Sequence, residues 1–208
     1  MSTRVEPVSA ELLVERVADA ALARAGRADT PVRLLVDGHP STHPDRLADA
    51  LVAPLQTAGR RVARVRVADY LRSRSLRLER GRDDPDSLLD GWIDVEALNR
   101  EVLRRVVERG EYLPSLRDPD TDRATRAAYA PAGPGTVVVL DGALAIARGL
   151  DVDVAVHLAL KPGTLRRRTP DEEAWALPAY ERYAAQAERA ADLLVRVDHP
   201  DHPALVHR

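Results

Sequence analysis

Three acidic residues, Asp37, Asp69 and Asp141, each close a run of aliphatic residues that reads as a strand. In α/β proteins ligands bind at the carboxyl ends of strands, so the three form a candidate site, although Asp is also common in turns. Other chemistry-bearing residues are few. The chain has no cysteine, which excludes thiolate catalysis, disulfides and Cys-type zinc sites. Of 31 basic residues only Lys161 is a lysine, so a reaction that needs an amine has one candidate. It follows a different strand and precedes Pro162, which suits a surface role. His39 and His43 have a spacing that on a helix can bring two imidazoles to an anion or a metal, with Asp37, Asp45 or Asp141 as neighbours. Pro40 breaks that stretch, and the two histidines read as solvent-exposed loop residues. His199, His202 and His207 fall in a Pro-rich tail, expected to fray.

The elements that position these residues follow from periodicity. Ser9 to Ala25 suits an amphipathic helix stopped by Gly26. Val32 to Val36 reads as a strand with Asp37-Gly38 as its exit. A helix from about Pro44 to Thr57 is closed by Gly59, and Arg61 to Val67 is a second strand leading to Ala68-Asp69-Tyr70. Residues 71–93 are polar and read as a surface loop ending at Trp92. Asp94 is placed to cap a helix that runs to Glu108, with Gly110 at its end. Tyr112 to Tyr129 suits a hairpin or paired loops, and Thr136 to Leu140 is the clearest buried strand. Val152 to Leu160 is a further strand, helices start at Thr164 and at Pro178, and Leu193 to Val197 is the last strand. Strands alternating with helices imply right-handed crossovers and a mainly parallel sheet covered on both faces.

With 208 residues the chain fits one domain over 1–208, with an N-terminal helix within 1–30 and a flexible tail over 198–208. A net charge of −2 with mixed signs lacks the basic excess of a general nucleic-acid binder. No apolar run approaches membrane-spanning length and no signal core opens the chain. A cytoplasmic protein with no membrane or nucleic-acid partner is expected.

From Val32 to about Val197 the order of features resembles the uridine kinase family of P-loop NTPases. Arg77 to Ser87 followed by Gly91-Trp92-Ile93-Asp94, and Tyr112 to Asp118, resemble its acceptor-nucleoside region. Val137 to Leu140 with Asp141-Gly142 resembles its second acidic strand, and Leu165-Arg166-Arg167-Arg168-Thr169 its arginine-bearing lid. The resemblance implies a three-layer P-loop-kinase-like α/β fold with a central parallel sheet, and Mg²⁺ and ATP as cofactors if the protein is active. It implies Asp69 and Asp141 as catalytic carboxylates, Asp141 also holding the metal. Gly38, Ser41, Thr42, Arg166, Arg167 and Arg168 are the phosphate-binding positions. Asp86, Trp92, Tyr112 and Arg117 are the positions for a nucleoside-like small molecule, and Trp92, Tyr112 and Arg117 serve equally as packing anchors.

The first βα loop departs from that pattern. A phosphate loop, GxxxxGK[ST], supplies amides, a lysine and a metal-binding hydroxyl. Here Gly38 is followed by His39-Pro40-Ser41-Thr42, and then His43, Pro44 and Asp45 stand for the second glycine, the lysine and the hydroxyl. Thr42 reads as the N-cap of the next helix with Asp45 in its first turn, so the protein's own carboxylate neutralises the helix end. Ala68 replaces the usual acid before Asp69. These changes imply a nucleoside-like or small-ligand pocket with phosphotransfer lost or strongly reduced. The alternatives are a divergent kinase that uses Lys161, the lid arginines and Asp141-bound magnesium, or a non-catalytic scaffold that pairs with an intact homologue or with itself.

Overall fold

The computed structural model describes residues 4–199 and 201–207. Its order begins with β1 (Arg4–Pro7), α1 (Ala10–Ala25) and β2 (Val32–Gly38), then α2 (Pro44–Ala50), α3 (Val52–Thr57) and β3 (Val62–Arg66). Short helices α4 (Arg74–Arg77) and α5 (Pro85–Gly91) interrupt the segment expected to be a polar surface loop. Asp84 caps α5 through the Ser87 amide, a local signal obscured by the charge density of this stretch.

Next come α6 (Val95–Leu98), a π-helical turn over Asn99–Leu103, and α7 (Arg105–Arg109). Asp94 caps this run at the Ala97 amide and Gly110 ends it in the left-handed region, both as expected. The small pair β4 (Glu111–Tyr112) and β5 (Ala130–Pro131) precedes β6 (Val137–Gly142) and β7 (Val154–Ala159). Finally α8 (Pro162–Arg168), α9 (Leu177–Ala190), β8 (Leu193–Arg196) and β9 (Ala204–His207) complete the order.

The main sheet runs β1-β9-β8-β7-β2-β6-β3, parallel from β8 through β3 and antiparallel where β9 meets β8 and β1. The expected flexible tail is thus corrected for residues 204–207. Leu205 is buried between two strands, and pairing with neighbours on both sides orders a segment whose own sequence is only four residues between prolines and the end. Pro200 and Arg208, in the same expected tail, lie outside the described residues.

Because side chains alternate along a strand, the sheet has two cores. Leu34, Val36, Val137 and Val139 face α1, α2 and α3, where Val17, Leu51 and Leu55 are fully buried. Leu35, Val138 and Leu140 face the other way, toward Leu98, Leu103, Tyr183 and Ala187 of the second helical layer. The expected single helix over 44–57 breaks at Leu51, so α2 and α3 each follow the sheet separately. No helix among the described residues is long and apolar enough to cross a membrane.

Candidate functional site

β2 and β6 are adjacent and parallel, with Val36 opposite Asp141 and Asp37 opposite Gly142. That one-residue offset has a consequence. The period-2 pleat sends Asp37 to the α9 face with Leu35, and Asp141 to the α2 face with Val137 and Val139. The three strand-end carboxylates therefore do not converge; each has its own partner.

Asp37 is fully buried. One oxygen accepts the Ala145 amide at 2.8 Å and the other lies 2.7 Å from His157 Nδ1. Asp69 meets the Arg66 guanidinium, with contacts of 2.6 and 3.2 Å, while its carbonyl accepts the amides of Leu116 and Arg117. Asp141 Oδ1 accepts from Arg64 Nη2 at 2.8 Å, and the same guanidinium reaches Asp49 and the Val139 carbonyl. Burial raises the Asp141 carboxyl above the usual carboxylate range, Arg64 opposes this, and Asp45 and Asp49 add to the rise. Arg64 thus supplies the positive charge that a metal would bring. Sequence reasoning missed Arg64, although a basic residue in the middle of a strand is itself a signal that a buried acid is near.

The phosphate-loop segment is closed on itself. Pro40–Thr42 form a 3₁₀ turn in which the Ser41 amide donates to His39 Nδ1, the Thr42 amide to the His39 carbonyl and the His43 amide to the Pro40 carbonyl. Pro40 and Pro44 have no amide hydrogen. The Thr42 hydroxyl donates to the His39 carbonyl, so Thr42 is not the helix cap; His43 occupies that place without a capping side chain. His43 has φ 53° and ψ 57°, the left-handed conformation that glycine adopts freely and other residues enter at a cost. Gly38 is required for a different reason, since a Cβ there would clash with Thr42 Oγ1 and stand 2.9 Å from Leu158 Cβ.

The expected exposure holds for His43 but not for His39, whose ring is buried edge-on against Tyr180 at 4.5 Å. No cluster of metal ligands exists among the described residues. Burial, with help from Arg168, lowers the His39 pKa to about 4. Because the folded value lies below the unfolded value near 6.5, the unfolded chain binds the extra proton between them. The contribution is complete above pH 6.5 and is lost as pH falls toward 4. Between pH 7 and 5 the wild type should lose about 1 kcal/mol more stability than His39→Gln, after allowance for solvent screening. Denaturant titrations at the two pH values measure this, and equal losses in both proteins would refute it.

The lid arginines are engaged locally. Arg166 pairs with Glu181, Arg167 with Gly163 and Thr164, and Arg168 with the Val197 and Asp198 carbonyls. Lys161 is exposed beside the start of α8. Among the nucleoside positions, exposed Asp86 pairs with Arg182, Tyr112 lies in β4 and Arg117 donates to the Asp122 carbonyl. Of these four, only Trp92 lines the cavity beside the loop.

That cavity, about 500 Å³, opens between the 38–45 loop, the end of β6 and α5. Its walls include Val67, Leu71, Leu88, Leu144, Trp92 and Tyr180. Asp45, His43 and Asp141 stand at its loop end, and Ala68 contributes where an acid would. Tyr180 belongs to α9, far away in sequence, and burial raises its pKa so that it stays a neutral phenol. The arrangement can enclose a planar, mostly apolar body between aromatic walls. The magnesium and polyphosphate of a P-loop kinase do not fit the residues present, because the Ser41, Thr42 and His43 amides are spent internally, the exposed Asp45 carboxylate stands in the first turn of α2 and Arg64 holds Asp141.

No protein-family model and no curated protein matches the chain. Solved structures do. A "possible uridine kinase" from Bacillus stearothermophilus is 19% identical with a TM-score of 0.69, over 88% of this chain and 98% of that one. A "putative fructose transport system kinase" from Silicibacter sp. TM1040 is also 19% identical, with a TM-score of 0.63 over 87% of this chain and 98% of that one. The chain has the three-layer α/β fold of the P-loop kinases.

Proposed function

We propose that this protein is a uridine-kinase-like small-molecule binder that has lost ATP-dependent phosphotransfer. The observation that carries this reading is the closed 38–45 loop, in which the Ser41, Thr42 and His43 amides all bond within the turn. Kinases of this fold depend on such amides, with a lysine and a metal, to neutralise the transferred phosphoryl group. The cavity beside the loop supports a retained ligand role, since it has the size and aromatic walls for a nucleoside. Such a protein would work in the cytoplasm and need no cofactor.

Calorimetric titration tests both halves. ATP with magnesium should bind with a dissociation constant near or above about 1 mM, some 4 kcal/mol of affinity. Uridine or cytidine should bind more tightly, and Ala68→Phe, which fills the cavity from its wall, should abolish that binding. Micromolar ATP affinity with turnover would restore the divergent-kinase reading. Failure of both nucleosides to bind would leave the scaffold reading in its place.

A further inference from the structure

A second cleft, about 360 Å³, lies on α4 and is lined by Arg74, Arg77, Leu78, Arg82 and Trp92. Arg77 is buried, with Nε donating to the Arg72 carbonyl and its guanidinium 4.9 Å over the Trp92 ring. Its Nη2 is 3.6 Å from Asp122, and Arg117 Nη1 is 3.9 Å from the same carboxylate oxygen. Both Asp122 oxygens also accept the Arg74 amide at 2.9 Å. Arg82 has no ion pair or hydrogen bond among the described residues.

No acid lines the cleft itself, and three acids nearby are committed elsewhere: Asp84 to the Ser87 amide, Asp86 to Arg182, and Asp118 to the amides of Asp120 and Thr121. The cleft thus gathers the guanidinium groups of Arg74, Arg77 and Arg82, and next to it Arg77 and Arg117 share the single carboxylate of Asp122, while the Arg74 guanidinium donates to the Asp120 carbonyl. Two buried donors in the same neighbourhood, Trp92 Nε1 and Arg117 Nε, have no acceptor. Burial lowers the Arg77 pKa, and the nearby Arg74 and Arg117 lower it further against the pull of Asp122. A positive excess beside orphan donors is balanced best by a doubly charged oxyanion, which guanidinium forks engage two oxygens at a time.

We infer that the Arg74–Arg77–Arg82 cleft is a binding site for a phosphate monoester, with the Trp92 ring as its floor. This is a site separate from the loop where a kinase would hold polyphosphate, and it stands whether or not the first cavity takes a nucleoside. A monoanionic carboxylate would neutralise half as much positive charge as a dianionic phosphate, so the site should discriminate by charge.

The experiment uses the full chain with Trp175→Phe, so that Trp92 alone reports fluorescence; Trp175 otherwise lies 6.0 Å away. Glycerol phosphate and inorganic phosphate are titrated at constant ionic strength, with acetate in parallel. Both phosphates should produce a saturable change, with a dissociation constant of about 1 mM, and acetate none. Arg74→Gln combined with Arg82→Gln, both exposed positions, should weaken binding about tenfold or more without lowering the melting temperature. Arg80→Gln, adjacent in sequence but outside the cleft lining, should change it less than about twofold. The inference is overturned by no saturable change up to about 20 mM, by equal binding of acetate, or by an equal loss in Arg80→Gln.

Discussion

Asp37→Ala should lower stability by about 3–5 kcal/mol, a fall of roughly 10 °C in melting temperature. The carboxylate is fully buried and serves both the Ala145 amide and His157 Nδ1. Truncation leaves a buried amide and a buried imidazole without partners, and each loss is costly in a low-dielectric interior. His157 also packs edge-on against Tyr183, whose hydroxyl accepts the Ile146 amide, so the damage reaches the loop after β6. Asp37→Asn keeps an acceptor for Ala145 and should lose about half as much. The double variant Asp37→Ala with His157→Leu should recover part of the deficit, because removing both polar partners is cheaper than orphaning one. A loss below about 1 kcal/mol in the single variant would show that this pair is not what secures the end of β2.

The other large effect lies in the loop. Replacing His43, Pro44 and Asp45 together with Gly, Lys and Ser should improve ATP–magnesium affinity tenfold or more, roughly 1.4 kcal/mol. The glycine relieves the left-handed strain at residue 43, the lysine restores an amide and a cation, and the serine replaces an opposing carboxylate with a metal-binding hydroxyl. Nucleoside phosphorylation should remain poor, since Ala68 offers no base and Asp69 is held by Arg66. Adding Ala68→Asp should then raise turnover more than affinity. Fast turnover in the loop triple alone would show that Asp69 serves as a base despite Arg66. No ATP binding in either variant would mean that the Pro40 turn keeps the pocket shut.

Much of the fold was legible because β2 and β6 are buried on both faces and read as continuous aliphatic runs. Helix limits at Gly26, Asp94 and Gly110 followed from capping chemistry that acts within a few residues. β9 was not legible, because four residues carry little local preference and one of the two strands that order it, β1, lies about two hundred residues away. For the site, strand-end acids could be located but not their partners. Arg64 for Asp141 and His157 for Asp37 depend on register, and a one-residue offset decides which face a side chain meets. The burial of His39 likewise depends on Tyr180, which only the docking of α9 brings near.

The pairing of β1 with β9 joins Arg4 to His207 and Pro7 to Ala204. These contacts join residues about two hundred apart in sequence, and closing so large a loop costs entropy and slows folding. Until β9 pairs, the edge of the sheet at β8 stays uncovered, while the parallel centre from β7 through β3 can already assemble. For that interval β8 offers a row of unpaired backbone groups, the surface through which nascent chains aggregate or exchange strands. Arg196 at the end of β8, paired with Glu188, and Pro203 just before β9 stand at the border of that exposed edge, where charge and a missing amide discourage the wrong partner.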